Sequence, residues 1–318
     1  SGVGKTAEEM MLALEVGIYQ FNVESAEELL SLNDLAMRLD VCAPVSLRVN
    51  PDIHAGAHAK ISTGKAEDKF GIPLAEIPKL VTISSALPKI EIKGLAVHIG
   101  SQIVSEEPFV EAFGTLRNLV LDLRAAGHVI QRLDLGGGLG VSAPDEATLS
   151  IEGYCEIVVD SVGALDLDIT IEPGRAMVAD AGVLVSKVIR TKQTKERVFL
   201  IMDAGMNDLM RPALYDAEHD LEPLEGCGGP TFYDIVGPVC ESGDTFALDH
   251  QTPEMAPGEL AAFRTCGAYG AVLASEYNTR PAVPEVMVSG ESWALIRARP
   301  CIDEIIARDI VPDWILTS

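Results

Sequence analysis

The chain has 318 residues, of which 47% are apolar, 23% charged and 5% aromatic, enough for two ordinary domains or one large α/β domain and too hydrophobic for a disordered polymer. Its 48 acidic and 24 basic residues leave a formal charge of −24, which repels phosphate backbones and anionic lipid, so neither nucleic acid nor a membrane is an expected partner. No apolar run approaches the ~18 residues of a membrane span, no secretion signal opens the sequence, and six scattered cysteines contain no C-x-x-C pair, which together predict a cytoplasmic protein without a disulfide framework or zinc ribbon.

The opening SGVGKT reads as the end of a strand entering a helix, which suggests the later part of a longer protein. A helix follows from Thr6, with Met10, Ala13, Leu14, Gly17 and Ile18 on one stripe and Thr6 and Glu9 as a capping box. Phe21–Glu24 is a short strand. Ser25 and Glu28 form a second capping box before a helix striped by Leu29, Leu32, Ala36 and Leu39. Strands at Val45–Val49 and Leu95–Val97 come next, then a helix carrying Phe109, Phe113, Leu116, Val120 and Leu123, then strands at Arg132–Leu135 and Ile169–Ile171. Apolar strands alternating with helices predict a parallel α/β sheet. Polar or glycine-rich text follows the strands at Asn50-Pro51, His98 to Ser101, Gly136 to Gly138 and Glu172 to Arg175, the ends where such sheets and barrels carry their sites. Near residue 182 the pattern changes to short strand-like runs between Gly, Pro and Asp turns, predicting an α/β domain over 1–181 and a mainly β domain over 182–318.

Several motifs carry chemistry and a plainer alternative. Gly2, Gly4, Lys5 and Thr6 resemble the tail of a phosphate-binding Walker loop, but the leading glycine and a metal-binding Asp are missing, which favours an ordinary strand-to-helix turn. Gly138, Gly140 and Ala143 match a dinucleotide fingerprint, yet Pro144, Asp145 and Glu146 interrupt the helix it needs. Gly136, Gly137 and Gly138 could close backbone N–H groups around a phosphate or simply form a tight turn. Glu172, at a strand end with Arg175 three residues on, could keep a heteroaromatic ring nitrogen protonated or form a rim salt bridge. His98 could be functional or structural. The histidines at 54, 58, 128, 219 and 250 show no metal spacing, and no nucleophile elbow occurs, so neither a metal site nor serine hydrolysis is expected. Cys240, beside Glu241 at a Gly-rich turn, could be a buried hydrophobe or a partly exposed reactive thiol.

Taken in order, SGVGKT, FNVES, SLRVNP, ISTG, KFGI, GLAVHIGSQ, LDLGGGLG, IEPGR, MDAGMNDLMRPALYDA, GPVCESGD, GAYG and SEYNTRP span nearly the whole chain. They resemble the pyridoxal-phosphate decarboxylases with an alanine-racemase-like barrel, and within them the diaminopimelate decarboxylases. The resemblance implies a (β/α)8 TIM-type barrel followed by a β domain, with SGVGKT as the tail of the third barrel strand, so that the first two strands and the cofactor-linking lysine of the first are not among these residues; Lys5 does not match it. It implies pyridoxal 5'-phosphate as cofactor and decarboxylation of meso-diaminopimelate to L-lysine as reaction. By resemblance, Glu172 holds the ring nitrogen protonated and His98 stacks on the ring. Gly136, Gly137, Gly138, Gly174 and Ser101 bind the phosphate, while Arg175, Arg211 and Tyr215 grip the distal carboxylate. Glu241 meets the distal ammonium, Cys240 returns a proton to Cα, and Tyr269 contacts phosphate or substrate. It further implies a head-to-tail homodimer with shared sites. The competing expectations are a decarboxylase of ornithine, arginine or carboxynorspermidine, and a non-catalytic ligand-binding chain lacking the cofactor-linking lysine.

Overall fold

The computed structural model describes residues 1–53, 63–64, 67–142, 148–225 and 228–316. His54, His58, Ile61, Ser62, Ala143, Pro144, Asp145, Glu146 and Cys227, on which expectations fell, lie outside the described residues. Two compact units divide the chain, Ser1–Met177 and Val178–Ser318.

In the first unit, strands β1 (Phe21–Val23), β2 (Ala43–Asn50), β3 (Ile72–Pro73), β4 (Ile90–Val97), β5 (Arg132–Asp134) and β6 (Asp168–Thr170) alternate with helices α1 (Ala7–Val16), α2 (Ala26–Leu39), α3 (Ile77–Ser84), α4 (Glu107–Ala125) and α5 (Ile151–Val162). All strand pairs are parallel, in the order β1-β2-β4-β5-β6 with β3 beside β2. Register aligns Leu47 with Leu95, Leu95 with Leu133 and Leu133 with Ile169. Every C-terminal strand end therefore lies on one edge, which gathers Glu24, Asn50, His98, Gly136 and Glu172. The α/β expectation holds here because strands of Val, Leu and Ile are buried, Val23, Val45, Leu47, Leu95 and Leu133 completely so.

The local signals explain most of the elements. Thr6 caps α1 reciprocally with Glu9 as expected, but Gly17 adopts a left-handed φ of 70° and ends the helix, so Gly17 and Ile18 leave the expected stripe. At α2 only half of the expected capping box forms. Ser25 Oγ accepts from Glu28 N at 3.1 Å, whereas the Glu28 carboxylate accepts from Glu24 N at 3.2 Å and pairs with Lys5 Nζ at 2.6 Å, because the stronger ionic partner draws it away from the cap. All five stripe residues of α4 are buried. The strand β3 and helices α3 and α5 carry weaker signals and were not expected; α5 begins where Ser150 Oγ accepts from Gly153 N at 3.0 Å.

The second unit is mainly β, as the turn-rich text predicts. After the four-residue helix α6 (Arg175–Val178), strands β7 (Leu184–Gln193), β8 (Val198–Met202), β9 (Leu221–Pro223), β10 (Pro230–Val236), β11 (Thr245–Pro253) and β12 (Leu260–Phe263) form a sheet in the order β11-β10-β8-β7-β12-β9. Its core includes Val188, Leu200, Met202, Tyr233, Ile235 and Phe263, with the Phe246 and Phe263 rings 4.5 Å apart. Helix α7 (Arg211–Tyr215) lies between β8 and β9, and a hairpin of β13 (Glu285–Ser289) and β14 (Ser292–Arg297) follows the sheet.

Candidate active site

In the first unit, the glycine triplet after β5 is wedged between the ends of β4 and β6. Gly136 adopts φ +65°, and a Cβ there would strike Val97 O and lie 3.1 Å from His98 Nδ1; a Cβ on Gly137 would strike Glu172 O. Gly138, at φ +112°, would bring a Cβ to 2.7 Å from Gly100 O. The triplet is therefore needed for backbone approach between strand ends. Two of its donors are already engaged, Gly136 N–H with Asp134 Oδ1 at 2.9 Å and Gly137 N–H with His98 Nδ1 at 3.2 Å. Of the three N–H groups expected to face a phosphate, that of Gly136 thus bonds to Asp134 of its own strand and that of Gly137 to the His98 ring at the end of β4.

Because Gly137 donates to Nδ1, the His98 ring keeps a lone pair there. Burial, and then the Arg48 cation, hold its pKa near 4, so the imidazole is neutral in ordinary buffers. Glu172 N donates to Gly136 O at 2.7 Å. Its side chain is open to solvent on one side, yet desolvation among the strand ends and the nearby Asp134 carboxylate raise its pKa above the usual carboxylate range. A flat neutral ring and a proton-avid carboxyl on either side of Gly137 fit a heteroaromatic cofactor whose ring nitrogen carries a proton. Beside them Ser101 Oγ accepts from buried Arg175 Nη2 at 2.9 Å, which leaves the hydroxyl proton free to point elsewhere. Gly174 opens α6, its carbonyl accepting from Met177 N at 3.2 Å.

Beneath this edge lies a polar layer that the sequence did not announce. Buried Glu24 accepts from Arg48 Nη1 at 2.8 Å and from the N–H groups of Gly2 and Gly71 at 3.1 Å each. Buried Asp134 accepts from Asn22 Nδ2 at 2.7 Å. The signal that could have found them is period-2 alternation, since Asn22 and Glu24, Ser46, Arg48 and Asn50, and Asp134 occupy alternate strand positions. Lys5 Nζ, bonded to Asn22 O at 2.9 Å, Gly2 O and Glu28, holds the α1 entry.

In the second unit, Cys240 and Glu241 are exposed on the loop between β10 and β11. Buried Asp244 holds that loop: its carboxylate accepts from Val239 N and Met206 N at 2.6 Å each, tying residues 237–244 to the loop after β8. That second loop is fixed in turn by Arg280, which reaches Asn207 Oδ1 at 2.8 Å and buried Asp208 at 3.2 Å. Glu241 accepts from Tyr277 Oη at 2.8 Å, an interaction that raises the phenol's pKa. Arg211 and Tyr215 sit one turn apart on α7. Burial lowers the Arg211 pKa, and Arg211 Nη1 lies 3.1 Å from His219 Nε2. Tyr269 holds φ +57°, an uncommon conformation for an aromatic residue, in a turn where a Cβ on Gly270 would strike Cys266 O. Among the described residues no cluster of three His, Cys, Asp or Glu side chains could hold a metal ion.

A parallel strand-and-helix unit with a neutral imidazole, a proton-avid carboxyl and a glycine wedge at its strand ends belongs with the pyridoxal-phosphate enzymes, and residues 1–179 match the family described as "Pyridoxal-dependent decarboxylase, pyridoxal binding domain". Relatives narrow the class. The diaminopimelate decarboxylase of Zymomonas mobilis is 45% identical over 317 residues, 99% of this chain and 75% of that one, and that of Pseudomonas aeruginosa is 46% identical over 308 residues, 96% of this chain and 74% of that one. The crystal structure of the Helicobacter pylori diaminopimelate decarboxylase complexed with L-lysine superposes with a TM-score of 0.92 at 38% identity, covering 96% of this chain and 77% of that one. The chain belongs to the diaminopimelate decarboxylases, pyridoxal-phosphate-dependent carboxy-lyases that convert meso-diaminopimelate to L-lysine.

Proposed function

We propose that the side chains gathered at the two sets of loops carry this decarboxylation in distinct roles. The observation that bears most weight is the wedge of Gly137 between the His98 ring and the Glu172 backbone, which sets a neutral imidazole and a carboxyl of raised pKa at the ends of the two strands flanking β5. When bound, pyridoxal phosphate supplies an electron sink for the bond to the departing carboxylate. Glu172 keeps the ring nitrogen protonated, and the neutral His98 packs against the ring face without adding charge. Ser101, Gly138 and the Gly174 turn donate to the phosphate, Arg175 lends its positive charge through Ser101, and Gly136 and Gly137 shape the cradle. Arg211 and Tyr215, with Arg175, take the distal carboxylate, since a guanidinium offers bidentate recognition. Glu241, oriented by Tyr277, takes the distal ammonium. Cys240 delivers a proton to Cα once carbon dioxide has left, and Tyr269 meets phosphate or substrate.

The working assembly in this reading is a homodimer in which Cys240, Glu241 and Tyr269 of one copy complete the barrel site of the other. Cytoplasmic residence belongs to the same reading, and the scattered cysteines, with no C-x-x-C pair, fit a protein that does not depend on disulfides. No helix among the described residues is long and apolar enough to cross a membrane. The test uses two variants, Cys240→Ala and Glu172→Ala, each expected to lose turnover, with Cys240→Ala retaining cofactor binding. Mixing and re-annealing them should restore activity, because a hybrid dimer holds one intact site. Full activity of Cys240→Ala would remove its assigned role, and failure of stable mixed dimers to regain turnover would remove the shared site.

A further inference from the structure

Arg211 does not stand alone on α7. Its Nη1 lies 3.1 Å from Nε2 of His219, a buried side chain in the segment leading to β9. A guanidinium can only donate, so Nε2 must present its lone pair. The ring proton is then on Nδ1, which lies 2.9 Å from Arg264 O at the end of β12 and donates to it. That carbonyl is fixed by the sheet: Arg264 N donates to Asp220 O at 2.9 Å, next to the Phe263–Leu221 pair of β12 and β9. Cys266 closes the far side, its sulfur 3.6 Å from Nδ1. Burial pushes that thiol up to about 11, so it remains a protonated donor, toward Phe263 O at 3.3 Å. The chain carbonyl–imidazole–guanidinium thus has one consistent set of protons, in which the imidazole itself is neutral.

We infer that His219 is a positioning residue for substrate recognition, holding the Arg211 guanidinium in place through Nε2 while its neutral ring leaves the cation's charge available to the distal carboxylate. The inference rests on the reading that Arg211 grips that carboxylate. It deepens it by naming the group that orients the grip, the carbonyl just past β12 acting through a single tautomer.

Two conservative variants separate positioning from general stability in the full chain. His219→Gln places a carboxamide oxygen near the Nε2 position and can still accept from Arg211; His219→Asn reaches only the Nδ1 position and serves only the Arg264 carbonyl. His219→Asn should raise KM for meso-diaminopimelate about ten- to hundredfold, the size of one hydrogen bond to a charged group, with kcat little changed, and His219→Gln should recover most of that loss. Calorimetry supplies a readout apart from turnover. Binding of L-lysine, which retains the carboxylate, should weaken in parallel in His219→Asn, while binding of 1,5-diaminopentane, which lacks it, should not move. Equal KM and L-lysine affinity in the Asn and Gln variants would overturn the inference. Arg211→Met distinguishes the failures: if it leaves L-lysine binding intact, the reading of Arg211 itself falls, whereas loss of binding there with an unaffected His219→Asn refutes the positioning role alone.

Discussion

Replacing Arg48 by Met would strike both the stability of the first unit and the state of its site. Arg48 and Glu24 are 7% and 5% exposed and pair at 2.8 Å. At an effective dielectric of ~20 their attraction is about 6 kcal/mol before both desolvation costs are subtracted. Met fills much of the arginine stem's volume, so packing is largely kept, but Glu24 is left buried as an anion whose remaining partners among the described residues are the Gly2 and Gly71 N–H groups. Loss of one partner from such a pair costs about 3–5 kcal/mol. The double variant Arg48→Met with Glu24→Gln removes the stranded charge, and its single carboxamide oxygen keeps one of the two backbone bonds. It should regain at least half of the loss, about 1.5–2.5 kcal/mol, and so be far less destabilised than the sum of the two single variants, since Glu24→Gln alone strands the Arg48 cation. Urea denaturation of the wild type, both single variants and the double variant measures the cycle. Additive losses, or a cost below about 1 kcal/mol for Arg48→Met, would refute the view that the pair is a tightly coupled buried unit. The same substitution removes a cation that depresses His98, so the His98 pKa, followed by the NMR shifts of its ring, should rise from about 4 toward its ordinary value.

His98 also sets a pH dependence with a definite sign. Its folded pKa near 4 lies below the unfolded value of 6.5, so its contribution is full above pH 6.5 and is lost as pH falls toward 4, by about 3 kcal/mol in all; a His98→Gln variant should show a shallower fall in urea stability over that window, and an identical profile would contradict the depressed pKa. Gly137→Ala forces a methyl against Glu172 O, a backbone atom that cannot swing away, so the strand ends must part at a cost of about 1–3 kcal/mol. Cofactor affinity measured by absorbance titration should drop with it, whereas Gly114→Ala, inside α4 with nothing within 4 Å of the added Cβ, should leave cofactor affinity unchanged and stabilise the helix by about 0.5–1 kcal/mol.

The parts of this molecule legible in its sequence are those in which chemistry and local pattern coincide. His98 and Glu172 each follow a compact apolar strand, and a polar residue at that place is conspicuous. Glu24, Arg48 and Asp134 escaped because they interleave with apolar residues inside strands, a pattern that resembles a half-solvated sheet; only the parallel neighbours on both sides reveal that these alternate positions face one another. The triplet after β5 shows a different limit. Its glycines are obvious, but which N–H groups are spent depends on His98, 39 residues away in sequence, and that separation is invisible to local reading. His219 had no signal of its own, since its partners Arg211 and Arg264 become neighbours only when β9 pairs with β12.

Arg48, Arg175 and Arg211 show how an acidic chain manages cations at its sites. Arg48 is met by a carboxylate, so the pair is nearly neutral at a distance and serves as a strut whose residual field bears on His98. Arg211 is met by an imidazole and Arg175 by the Ser101 hydroxyl. A carboxylate in the place of His219 would orient the Arg211 guanidinium equally well, but it would cancel the charge that an anionic ligand requires. Neutral anchors orient without cancelling. Substituting His219 by Glu would therefore be more harmful than substituting it by Gln even though both can accept from Arg211, because the first spends the cation and the second preserves it.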